Sequence, residues 1–181
     1  MAKKILLLHG WGGSDYPHWQ SWLAGELVKE YGCVNFLRFS DVDDPKYIIW
    51  MKELQDTLKE FQPDIVICHS LANTLWFHLC NEQKELREIE KLYLVAPPSL
   101  HCTIPELQEF FPLDFPKKLH AKKTLLITST TDPYLTMEEA KVLQEGLGVE
   151  MKVIQNGGHI NTDSGYGEWP WILQELQNYS F

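Results

Sequence analysis

The stretch Asp64-Ile65-Val66-Ile67-Cys68-His69-Ser70-Leu71-Ala72-Asn73-Thr74-Leu75-Trp76 sets the fold of this chain. A short β-branched apolar run reads as a buried strand, and the residues after Ser70 take up helical spacing. Between them lies a tight turn. Such a turn lifts a serine clear of the backbone, at a helix N-terminus whose free amides favour developing negative charge. The usual elbow is Gly-x-Ser-x-Gly, with small flanks that let the turn pack closely. Here Cys68 and Ala72 hold the flanking places, and both are small enough to permit the turn. Ser is also a preferred helix N-cap, so the segment alone leaves both roles open.

Outward from this stretch, apolar runs recur at Ile5 to Leu8, Val34 to Phe39, Leu92 to Val95, Thr124 to Thr128 and Glu150 to Ile154. Between most of them lie segments of helical period. Trp19, Trp22, Leu23, Glu26 and Leu27 form one; Tyr47, Trp50, Met51, Leu54 and Leu58 form another, opened by Asp43-Asp44-Pro45. Ser70 to Cys80, Thr136 to Gln144 and Trp169 to Tyr179 complete the set. Strands without alternation, separated by amphipathic helices, predict an α/β chain: a three-layer sandwich around a mostly or wholly parallel sheet. Ligands in such sheets gather at the carboxyl ends of the strands.

A serine hydroxyl near neutral pH needs a base within hydrogen-bond reach and a third group to orient that base. Ser129-Thr130-Thr131-Asp132-Pro133-Tyr134 follows one strand, and Asn156-Gly157-Gly158-His159-Ile160-Asn161 follows the last. The order Ser70, Asp132, His159 is that of the strand-turn-helix nucleophiles. Each residue taken singly has an ordinary explanation: a cap, a turn residue before proline, a loop histidine. Their shared placement at strand ends favours one common cause. Asp163, close after His159, is the rival acid, and Asp132 is preferred because it directly follows a strand. Acyl transfer also needs donors aimed at an oxyanion, expected from the backbone of Leu71 and of Trp11 in His9-Gly10-Trp11-Gly12-Gly13. That run lacks the spacing and the Lys of a phosphate-binding loop. His9, Gly12, Trp19 and Tyr134 are candidates for the substrate pocket.

From Ala96 to Lys118 the chain turns irregular, with Pro97, Pro98, Pro105, Pro112 and Pro116 around Leu107, Phe110 and Phe111. Residues 96–118 are expected either to lie over the strand ends as a lid or to form an ordered surface loop. No domain linker or internal repeat interrupts the chain, so residues 1–181 are expected to form one domain. Lys plus Arg number 16 against 25 Asp plus Glu, a formal charge of -9 that disfavours nucleic acid and anionic membranes. Met1-Ala2-Lys3-Lys4 before Ile5-Leu6-Leu7-Leu8 faintly mimics a signal peptide, but His-Gly-Trp-Gly-Gly follows at once and no cleavage site appears. A cytoplasmic location is therefore expected, without a membrane partner. The four widely spaced cysteines, Cys33, Cys68, Cys80 and Cys102, read as free thiols, and the seven histidines lack metal-ligand spacing.

With these residues in place the sequence resembles the small α/β-hydrolase family that includes retinoblastoma-binding protein 9 and the bacterial YdeN-like proteins. The likeness rests on His9-Gly10-Trp11-Gly12 followed by His18-Trp19 and Trp22, on His69-Ser70-Leu71, on Asp132-Pro133-Tyr134, and on Gly157-Gly158-His159-Ile160-Asn161. It implies a compact hydrolase-like sheet lacking the first strands of larger relatives, and a triad of Ser70, Asp132 and His159. The expected activity is hydrolysis of a small ester or amide through an acyl-Ser70 intermediate, with no cofactor. The alternative is a binding module on a hydrolase scaffold, since Cys68 and Ala72 depart from the elbow pattern. A pocket-protein ligand of the Leu-x-Cys-x-Glu type is not carried over, because His78 stands where its leading leucine belongs in His78-Leu79-Cys80-Asn81-Glu82.

Overall fold

The computed structural model describes residues 3–30 and 32–179. Six short strands pair side by side, every pair parallel, in the order β2-β1-β3-β4-β5-β6. They are β1 (Ile5–Leu8), β2 (Val34–Leu37), β3 (Ile65–His69), β4 (Ile89–Val95), β5 (Ala121–Ser129) and β6 (Glu150–Ile154). Helices α1 (Trp19–Glu30), α2 (Tyr47–Phe61), α3 (Leu71–Glu82), α4 (Met137–Leu147) and α5 (Pro170–Tyr179) supply the crossovers and the last element. Strands β4 and β5 begin earlier than the apolar runs suggest, because their first residues carry lysines. Lys91 is held there by Glu175 on α5, at 2.7 Å.

A parallel sheet covered on both faces buries both sets of its side chains. Leu6, Leu8, Val66, Cys68, Leu92 and Leu94 pack under α2, α3 and α4; Ile5, Leu7, Ile65, Ile67, Tyr93 and Val95 pack under α1 and α5. Trp19, Trp50 and Trp76, all fully buried, anchor these two layers. A buried indole needs an acceptor for its N–H. Trp19 donates to the Ile160 carbonyl (2.8 Å), Trp50 to that of Ser40 (2.7 Å) and Trp76 to that of Leu119 (3.2 Å). Each helix is thereby tied to a loop, and the tryptophans belong to the core. At roughly 25 cal/mol per Å² and 150–250 Å² per ring, each contributes about 4–6 kcal/mol at the upper bound.

Residues 96–118 lie between β4 and β5 and contain a 3-10 turn, Pro105–Phe110. Leu107, Phe110 and Leu113 are buried in the α2/α3 layer, with the Phe110 ring against Trp50 at 5.8 Å. The segment is therefore fastened from below. Ser99 N–H donates to the Tyr134 carbonyl (2.8 Å) and its hydroxyl to Glu139 (2.6 Å), which ties it also to the loop after β5.

The strand order reverses between β1 and β3: the chain leaves β1 toward β2 on one side, and later strands are added on the other. Loops after such a pair diverge to opposite faces and leave a crevice between them. Gly10 follows β1 and Ser70 follows β3 at this point.

Candidate active site

Ser70 occupies the turn between β3 and α3 with φ 54° and ψ −124°, a conformation that non-glycine residues rarely adopt. Such strain costs on the order of 1–3 kcal/mol and persists only where neighbours hold it. Three contacts do so. Ser70 N–H donates to the Val95 carbonyl (3.0 Å), and the Asn73 side-chain amide donates to the carbonyls of both Ser70 (2.8 Å) and Val95 (2.9 Å). Space for the turn comes from Gly10: a β-carbon there would lie 2.6 Å from Ser70 Cβ and 3.0 Å from its Oγ. The glycine that the elbow needs is therefore supplied by the β1 loop. Cys68 and Ala72 are fully buried in the α2/α3 layer, where their small size serves the packing.

The Ser70 hydroxyl donates to His159 Nε2 at 2.8 Å, and His159 Nδ1 lies 3.0 Å from both carboxylate oxygens of Asp132. This pattern places the ring proton on Nδ1 and leaves Nε2 as acceptor. His159 and Asp132 are both buried. Asp132 is further fixed by Tyr134 N–H (2.9 Å), the local turn expected of Asp before proline. Asp163, the rival acid, is exposed on a 3-10 turn (Thr162–Ser164). Its carboxylate is not the one on Nδ1.

Two loops must meet for this geometry, and small polar side chains lace them. Thr130 Oγ1 accepts from Asn156 N–H (2.9 Å), and Thr131 Oγ1 from Gly158 N–H (3.0 Å). His159 N–H donates to the Ser164 hydroxyl (3.1 Å), which donates in turn to Asn161 Oδ1 (2.8 Å). At Gly158, with φ +53°, a β-carbon would sit 2.3 Å from Ser164 Oγ. The loop closes only over glycine there.

The amide of Gly12 donates to Val42 (2.8 Å) and that of Gly13 to Gly10 (3.2 Å). The amides of Trp11 and Leu71 donate to no acceptor among the described residues. Both residues line a cavity of about 240 Å³ that opens over Ser70. Its lining includes apolar side chains, Pro98, Ile104 and Leu107, and polar ones, His18, Asn161, Thr162 and Asp163. Gly12 and Tyr134 line it, the Tyr134 ring standing edge-on to His159 at 4.6 Å.

His9 and Trp19 do not line it, which corrects their assignment to the pocket. His9 is buried behind the loop, accepting at Nε2 from Phe39 N–H (2.9 Å), and Trp19 is a fully buried core residue. Their places are taken by His18 and His69. His69 is buried and its ring nitrogen Nε2 lies 3.2 Å from the His159 carbonyl. Burial holds the imidazoles of His9, His18 and His69 below the usual histidine range, His18 down to about 4. Among the described residues, no group of three or more His, Cys, Asp or Glu side chains is arranged to hold a metal ion. No described helix is long and apolar enough to cross a membrane.

A family model described as serine hydrolase matches residues 5–178. YdeN of Bacillus subtilis (strain 168) is 24% identical over 188 residues, covering 99% of this chain and 97% of that protein. The crystal structure of the B. subtilis ydeN gene product has a TM-score of 0.83 at 22% identity, covering 98% of both chains. The Pyrococcus furiosus esterase Pf2001 has a TM-score of 0.62 at 20% identity, covering 98% of this chain and 80% of that one. These structural likenesses establish a hydrolase-like α/β fold.

Proposed function

The chain belongs to the serine hydrolase family, and from that premise we propose that it cleaves a small ester or amide through an acyl intermediate on Ser70. The observation that carries this reading is the continuous hydrogen-bond line from Ser70 Oγ through His159 to Asp132. In the proposed reaction Ser70 Oγ attacks the substrate carbonyl while His159 Nε2 takes its proton. Asp132 holds the imidazole and stabilises the cation that forms. The oxyanion is received by the amides of Trp11 and Leu71, both unengaged at the cavity floor. His159 then protonates the leaving group, and water, activated by the same imidazole, releases the acid from Ser70.

The cavity volume, about 240 Å³, suits a short substrate, and Pro98, Ile104 and Leu107 supply apolar lining for an acyl chain. A fluorophosphonate probe tests the reading: a mass adduct on Ser70 is expected. Short-chain p-nitrophenyl esters should be turned over by the wild-type protein and spared by Ser70→Ala. No adduct on the folded protein, or equal rates for both proteins, would overturn it.

A further inference from the structure

His18 lines the cavity, one residue before α1. Its Nδ1 accepts from Gln20 N–H at 3.1 Å, so the neutral ring carries its proton on Nε2. The residue is 5% exposed, and that Nε2–H donates to no acceptor among the described residues. As a lining residue, His18 can offer that donor to an acceptor in the cavity. An oriented, uncharged donor on the wall of a reaction cavity is a means of selecting what enters.

We propose that His18 is a specificity-determining residue, whose Nε2–H receives an acceptor oxygen on the leaving group of the substrate. This rests on the hydrolase reading above. The leaving group is the part concerned because His18 lies on the side of His159, which returns the proton to that group. The His69 ring stands between them, 4.9 Å from His18 and 5.3 Å from His159. The neighbouring residue also bonds the base loop: Trp19 N–H donates to the Tyr166 carbonyl at 3.1 Å and its indole to that of Ile160. In this proposal the acyl group takes the apolar lining of Pro98, Ile104 and Leu107. Burial and the nearby His159 and His9 keep the His18 imidazole uncharged at neutral pH, so it suits a neutral acceptor. The substrate class is therefore an ester of an alcohol bearing an ether or hydroxyl oxygen near the ester link.

Two butyrate esters of equal shape test this: 2-methoxyethyl butyrate, with the acceptor, and n-butyl butyrate without it. The wild-type protein should favour the methoxyethyl ester in kcat/KM by about tenfold beyond their ratio in alkaline hydrolysis. His18→Leu should abolish that excess mainly through KM, and His18→Gln, which keeps a donor, should restore most of it. Nitrogen-15 correlation spectra of the wild-type protein at pH 7 should show His18 as the neutral Nε2–H tautomer. A different tautomer, or a ratio that His18→Leu leaves unchanged, overturns the inference. Absence of turnover on all these esters also overturns it; if Ser70 takes no fluorophosphonate label either, the hydrolase reading falls with it.

Discussion

The α-carbon of Gly10 faces the side chain of Ser70 so closely that any β-carbon there would stand 2.6 Å from Ser70 Cβ. It would also come within 3.1 Å of the Leu71 amide nitrogen. Gly10→Ala must therefore push the elbow away from the β1 loop. Overpacking of this kind costs typically about 1–3 kcal/mol, or about 2–12 °C in Tm for a chain of this size. Under the proposed function, ester hydrolysis should fall further, by about 100-fold or more, because the same shift moves the proposed nucleophile Ser70 and the Leu71 amide. Thermal denaturation and ester kinetics on the one variant check both parts.

Asp132 and Asp163 differ in what they reach. Asp132→Asn keeps the shape of the acid but reverses its demand on Nδ1, so kcat should drop by about 10³–10⁴-fold. Asp163→Asn should lower kcat far less, because its carboxylate is exposed and not bonded to the imidazole. Steady-state kinetics of the two variants side by side decide between the acids.

Asn73 bridges two carbonyls that nothing else spans, those of Ser70 and Val95. Asn73→Ala removes one donor from each, while the Asn73 N–H stays on Ser70 and the Ser70 N–H on Val95, at a cost of about 1–3 kcal/mol. Urea unfolding should show the loss in the midpoint with little change in slope. The kinetic effect should appear in kcat, since the released strain would let Ser70 φ drift from its positive value.

Buried neutral histidines make stability depend on acid. His18 has a folded-state pKa of about 4, below the 6.5 of an unfolded histidine, and His9 and His69 are shifted in the same direction. Between those values the unfolded chain binds more protons, so their destabilising effect is absent above 6.5 and grows as pH falls toward 4. His18 alone should remove about 2 kcal/mol by pH 5. Urea midpoints measured from pH 7.5 to 4.5 should decline across that window, and His18→Gln should flatten the decline.

The strands were legible in the sequence wherever they are apolar throughout, as at Ile5–Leu8, and less so where lysines open them, as at Lys91 and Lys122–Lys123. An apolar run marks a strand buried on both faces; a charged start reads as loop until its partner, such as Glu175, is known to lie opposite. Of the proposed site, the hydrogen-bonded neighbours Ser70, Asp132 and His159 could be grouped from the sequence because chain order and strand-end position are one-dimensional properties. Gly10, Asn73 and His69 act across the fold, and local pattern does not reveal such contacts. His18 was visible beside Trp19, yet only the Gln20 amide on Nδ1 distinguishes an oriented donor from a core histidine. Trp19 shows the reverse: an aromatic beside a glycine-rich loop suggests a pocket, but helical spacing turned it into the core.

Ser70 is carried by β3, an interior strand, whereas His159 follows β6, which pairs with β5 alone at the border of the sheet. Border strands open at lower free energy than interior ones. On warming, the imidazole should leave the hydroxyl while most of the sheet remains intact, so inactivation should run ahead of the far-ultraviolet signal. The nucleophile would survive that first step in its strained turn, unassisted, and cooling would recover activity by redocking one short segment.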